Sequence, residues 1–174
     1  SVHVDWDVNS AAVKTTAPLK DFQNKLTHKV VTSGCGQGTT FGGVWDDLKN
    51  KEITSKKLKQ SIIYSLLKLL HDKNEIYRQS GAVHGCAICD DKKIIDFIED
   101  VGRHNAVDAI AGNMWLNDIE SKNKIFYTTG RLTSEMVIKV SQMNIPYLIS
   151  RSGITEMGLN VAKETGVTLI GRAK

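Results

Sequence analysis

The sequence predicts an α/β fold, and three observations carry the prediction. After residue 120, short β-branched segments alternate with helical stretches of roughly ten residues. The connections between them are short, as parallel βαβ units allow. Gly166 stands where a helix-ending glycine belongs, just before the last strand. The elements of this half read as a strand at Ile125–Thr128, a helix at Ser134–Met143 and a strand at Pro146–Ser150. A helix at Thr155–Glu164 and a strand at Val167–Ile170 follow.

The first part is less regular. Val2, Val4, Trp6 and Val8 alternate, which predicts a strand over Ser1–Val8. Lys29–Thr32 reads as a second strand, running into the glycine-dense loop Ser33–Gly38. From Thr54 or Ser55 to His71 a helix is expected, with Leu58, Ile62, Leu66 and Leu69 on its buried face and Lys56, Lys59 and Lys68 outside it. Ser80–Cys89 reads as a strand entering a helix or turn, Lys93–Ile98 as another strand, and Gly102–Trp115 as a helix. One domain over residues 1–174 suits this length.

Composition excludes several classes. With 41% hydrophobic and 24% charged residues the chain is neither disordered nor a coiled coil. No apolar run approaches the ~20 residues of a membrane span. The 23 Lys and Arg against 19 Asp and Glu leave +4, enough for an anionic ligand and too little to argue for nucleic acid. Three cysteines, Cys35, Cys86 and Cys89, make no disulfide framework; they suggest a reducing, cytoplasmic setting with thiols kept for chemistry. The chain begins at Ser1, which suits a fragment of a longer protein.

Four clusters could carry chemistry. Cys35 lies among Ser33, Gly34, Gly36 and Gly38, where a thiol has little to pack against and the backbone is free to move; a thiolate there suits attack on sulfur. A buried structural role remains the ordinary alternative for any single cysteine. His84 with Cys86-Ala87-Ile88-Cys89 invites zinc, but the Glu of a zinc deaminase is replaced by Cys86, and small packing residues are the competing reading. In Glu99–Asp108, helical spacing puts His104 and Asp108 on one face so that the carboxylate can hold the imidazole. Arg103 and Asn105 flank them, Val101, Val107 and Ile110 form an apolar stripe, and Asp100 is the candidate N-cap. Thr128-Thr129-Gly130-Arg131 and Ser150-Arg151-Ser152-Gly153 are strand-to-helix loops suited to phosphates, or simply loops with exposed arginines.

On these residues the chain resembles the formate dehydrogenase accessory family, the FdhD-type sulfurtransferases. The run Glu99–Asp108 is similar to that family's signature. Gly81-Ala82-Val83-His84 resembles its Gly-Gly-Val-His segment, and Thr129-Gly130-Arg131 with Ser134-Glu135-Met136-Val137 resembles its Ser-Gly-Arg and Phe-Glu-Met-Val segments. Thr168–Gly171 resembles the closing strand. The similarity covers Cys35 to Lys174, with residues 1–31 matching more weakly, and the family's extra N-terminal portion and C-terminal strand are expected to be missing.

The resemblance implies a cytidine-deaminase-like α/β fold with a mixed central sheet flanked by helices. It also implies a sulfur carrier that takes persulfide sulfur from a cysteine desulfurase. Its cargo would be the molybdenum (or tungsten) bis(molybdopterin guanine dinucleotide) of formate dehydrogenase. Cys35 would carry the persulfide. Arg131 and Arg151 would offset phosphate charge, helped by Thr129, Gly130 and Ser150. His84, Arg103, His104 and Asp108 would line the site. Gly171 and Lys174 match the family's cofactor contact, whereas Arg172 replaces its usual aromatic. The family's second loop cysteine is Gly38 here, so no disulfide can form within that loop. A free guanine nucleotide could occupy the cargo site, and a homodimer is one option for assembly. A non-catalytic cofactor chaperone is the alternative function.

Overall fold

The computed structural model describes residues 1–16, 29–31, 39–41, 53–54 and 56–174. The Cys35 loop and Gly38 lie outside the described residues, as does the end of the Lys29–Thr32 strand. The architecture is α/β, with a mixed five-stranded sheet flanked by helices.

The sheet runs in the order β6-β5-β7-β8-β9, where β5 is His84–Cys89, β6 Ile94–Asp100, β7 Ile125–Thr128, β8 Tyr147–Ser150 and β9 Thr168–Ile170. β6 and β7 flank β5 antiparallel, whereas β7, β8 and β9 are parallel. The parallel half matches the βαβ expectation, with helices α4 (Ser134–Gln142) and α5 (Glu156–Thr165) as its crossovers. The strand expected within Ser80–Cys89 is β5; of its two expected continuations, helix or turn, it takes the turn and returns as β6, making a hairpin. Asp90 closes it by accepting hydrogen bonds from the backbone N–H groups of Lys92 and Lys93.

Side chains alternate along these strands, so they feed two cores. Cys86, Ile88, Phe126 and Leu148 pack with Val107 and Ile110 of α3 (Arg103–Leu116), Val137 of α4 and Val161 of α5. Ala87, Cys89, Ile125, Tyr127 and Ile149 pack on the other face against Leu66 and Leu70 of α1 (Gln60–Lys73). Because both faces are covered, β7 and β8 are buried along their whole length and read as unbroken apolar runs. Among the described residues, no helix is long and apolar enough to cross a membrane.

Several boundaries differ from expectation. The predicted strand over Ser1–Val8 is shorter: β1 (Val2–Asp5) turns back at 6–9 and pairs with β2 (Ser10–Val13). A further short pair joins β3 (Lys29–Val31) to β4 (Thr39–Phe41). α1 begins at Gln60 rather than near Thr54, because Lys56, Lys57 and Lys59 oppose the positive end of a helix dipole. Its buried positions are Leu66 and Leu70, and Leu69 faces solvent. A six-residue helix, α2 (Glu75–Ser80), was not expected. Glu99 fixes its start by accepting from the backbone N–H groups of Ile76 (3.1 Å) and Tyr77 (2.7 Å), and Gly81 closes it at φ +64°.

Candidate functional site

The sheet topology brings one row of polar residues to one edge. The ends of β7 and β8 pair Thr128 with Ser150, and Asp100 at the end of β6 pairs with His84 at the start of β5. Helices α3, α4 and α5 all begin beyond this edge, where a parallel sheet collects ligands. The loops there are held by their own side chains. Thr128 Oγ1 accepts from Gly130 N at 3.0 Å and from the Cys86 thiol at 3.3 Å. Ser150 Oγ donates to Gly130 O at 2.5 Å and accepts from Ser152 N at 2.8 Å. Thr129 N donates to Gly85 O (2.9 Å), and Thr129 Oγ1 accepts from Gly85 N (3.1 Å). Gly130 is required sterically: a Cβ there would lie 2.8 Å from Cδ of the buried Arg103.

The histidines at this edge are held neutral. Burial pushes His104 down to about 4, and the Arg103 and Lys139 cations reinforce the shift against the Asp108 carboxylate. Burial, then Arg103 and Arg131, lowers His84 as well, and its Nδ1 lies 3.5 Å from Thr129 Oγ1. The expected His104–Asp108 pairing does not form. Asp108 receives Lys139 Nζ on both oxygens, at 2.7 and 2.6 Å, because a full ammonium outcompetes a neutral imidazole for a carboxylate. The acid beside His104 is Glu135, whose Oε2 is 3.3 Å from Nε2, although neither ring nitrogen makes a well-aligned hydrogen bond. Asp100 is likewise not the N-cap of α3. Gly102 occupies that position, and Asp100 Oδ1 accepts from Gly102 N and Asn105 Nδ2. Val101 leaves the apolar stripe and is 77% exposed.

The expected cargo residues therefore divide into three places. His84, Arg103, His104, Thr129 and Gly130 gather at the sheet edge, with Arg131 exposed beside them. Arg151 and Lys174 line a cavity of about 320 Å³ on the α1 side, together with Tyr127. Asp108 belongs with Lys139 to a groove between α3 and α4. Gly171 is needed where a Cβ would come within 2.8 Å of Ile154 Cγ1. Sequence reasoning gave no role to Glu135, Lys139, Tyr77 or the α1 residues Tyr64, Lys68 and His71. Glu135 stood inside a quoted motif, and that was its only signal.

Cys86 and Cys89 are both fully buried and face opposite cores, so the C-x-x-C spacing on a strand cannot bring them to one metal ion. Among the described residues, no group of three or more His, Cys, Asp or Glu side chains is placed to hold a metal. Burial raises both thiols to about 12, so neither is a thiolate at neutral pH. The native protein should therefore show Cys86 and Cys89 unmodified after iodoacetamide treatment and alkylated only after denaturation. Peptide mapping that found either one labelled at the rate of a free thiol would contradict their burial.

The chain is similar in sequence, and in overall fold, to known proteins. The sulfur carrier protein FdhD of Bacillus pumilus is 32% identical over 153 residues, covering 87% of this chain and 58% of its own length. The protein of the same name from Wolinella succinogenes is 31% identical over 176 residues, covering 100% of this chain and 61% of its own. A crystal structure of a Desulfotalea psychrophila protein assigned as a formate dehydrogenase accessory protein superposes with TM-score 0.67 at 30% identity. It covers 86% of this chain and 66% of that one. The chain thus spans 58% and 61% of the length of the two curated relatives. The FdhD/NarQ family pattern matches residues 1–174, and with relatives at this identity along the same stretch, the chain belongs to the FdhD/NarQ family.

Proposed function

We propose that this chain is a cytoplasmic sulfur carrier that holds a persulfide on Cys35. It would deliver the outer sulfur to molybdenum bis(molybdopterin guanine dinucleotide), the cargo destined for formate dehydrogenase. The observation that carries the reading is the burial of Cys86 and Cys89, which leaves sulfur chemistry to the third cysteine of the sequence. The names of the relatives and the row of cationic and hydroxyl side chains at the sheet edge support it.

The chemistry balances with one thiol. The Cys35 thiolate attacks the outer sulfur of a cysteine desulfurase persulfide; a new S–S bond forms, the old one breaks, and the desulfurase leaves as thiolate. At delivery the acceptor supplies the electron pair for its new bond to sulfur, and Cys35 leaves as thiolate. No internal disulfide is needed. None is available either, with Gly38 in the loop and the other two thiols closed off. Arg131, Arg151 and Lys174 would offset the cargo's phosphate charge, and the neutral His84 and His104 would place it without adding repulsion or attraction of their own.

A Cys35→Ala variant, produced in cells that lack their own accessory protein, is expected to leave formate dehydrogenase activity at the level of an empty control. Full restoration by that variant would show a non-catalytic cofactor chaperone instead.

A further inference from the structure

The helix α2 brings an aromatic ring to a cation, yet little of its own holds it in place. None of its residues is fully buried, and Asn74 at its N-cap makes no side-chain cap bond. Asn74 Nδ2 donates to Leu70 O of α1 instead, at 2.6 Å. Six residues are too few for a helix to persist unaided. Among the described residues, the remaining hydrogen bonds of α2 run within residues 74–82. What ties it to the sheet is the Glu99 carboxylate, with Oε2 on Ile76 N and Oε1 on Tyr77 N. A carboxylate there supplies the cap that Asn74 does not, and it meets the positive end of the helix.

Glu99 is itself fixed. It stands in β6 opposite Gly85 of β5, and Gly85 exchanges two hydrogen bonds with Thr129. The carboxylate therefore projects from rigid backbone. In the turn that it holds, Tyr77 is half-buried and its ring lies 5.8 Å, centroid to guanidinium carbon, from Arg151. The backbone of Arg151 is anchored by its N–H, which donates to Thr128 O at 3.2 Å. Its long side chain has many rotamers, and the Tyr77 ring selects among them.

We infer that Glu99 is a positioning residue for Arg151. Its carboxylate holds the first turn of α2, and α2 holds the Tyr77 ring against the guanidinium. A side chain of β6 thus directs a cation borne on the loop after β8. This rests on the cargo part of the proposed function, in which Arg151 offsets phosphate charge.

The test joins NMR of the Arg151 side chain, assigned by its loss in Arg151→Ala, to titration calorimetry of GDP against the full chain. In wild type the Tyr77 ring current shifts the Arg151 side-chain protons upfield, and Tyr77→Leu removes that shift. Glu99→Ala is expected to move them to the values of an exposed arginine and to weaken GDP by about fivefold. Glu99→Gln, which keeps one acceptor oxygen and serves where alanine loosens the fold, should recover part of both. In the Arg151→Ala background Glu99→Ala should cost nothing further. Unchanged Arg151 shifts in folded Glu99→Ala, or GDP losses that simply add, would overturn the proposal. Arg151 protons released by Glu99→Ala in a protein that binds no GDP would uphold the hold of Glu99 on Arg151 and remove the cargo reading.

Discussion

A methyl group on Gly85 is expected to destabilise the fold by about 3 kcal/mol. The added Cβ would fall 2.0 Å from Oδ1 of the fully buried Asn74 and 3.3 Å from the Phe97 ring. The backbone cannot yield, because Gly85 exchanges two hydrogen bonds with Thr129. Asn74 would have to swing away, losing its Nδ2 bond to Leu70 O and carrying an amide into an apolar layer. Gly112 is the control. It lies inside α3 with nothing within 4 Å of an added Cβ, so Gly112→Ala should stabilise by about 0.5–1 kcal/mol. Urea denaturation of both variants measures the contrast; equal midpoints would contradict the packing at β5.

Acid should destabilise the fold through His104. Its imidazole titrates near 6.5 in the unfolded chain and near 4 in the fold. Between those values the unfolded chain binds more protons, so stability falls as pH drops from 6.5 toward 4. Above 6.5 and below 4 this group contributes no slope. The side chain is 18% exposed, and the loss across the window is about 2–3 kcal/mol. His84 shifts in the same direction and adds to the loss. His104→Gln should flatten the dependence by about 2 kcal/mol when urea midpoints at neutral pH and near pH 4.5 are compared. An unchanged slope in that variant would mean that His104 is not held neutral by the fold.

The parallel half of the sheet was legible almost to the residue. Strands β7 and β8 are buried on both faces, so they announce themselves as short apolar runs between helices. What was missed depends on partners distant in sequence. α2 is too short to declare itself and is held by Glu99 from β6. β2 consists of small residues and exists by pairing with β1.

The site was legible in composition but not in pairing. Helical spacing rightly put His104 and Asp108 on neighbouring turns. It could not show that Lys139 of α4 would take the carboxylate and that Glu135 would stand beside the imidazole. Lys68 was correctly placed outside the buried face of α1. A helical wheel separates inside from outside, but does not say that Arg151 and Lys174 border the same cavity.

The most direct test of the carrier is intact mass of the protein after incubation with a cysteine desulfurase and cysteine, with and without reductant. A gain of one sulfur atom, removed by reductant and mapped to Cys35, is the predicted result. A folded protein that gains no sulfur at Cys35, or gains it equally in Cys35→Ala, would contradict the account.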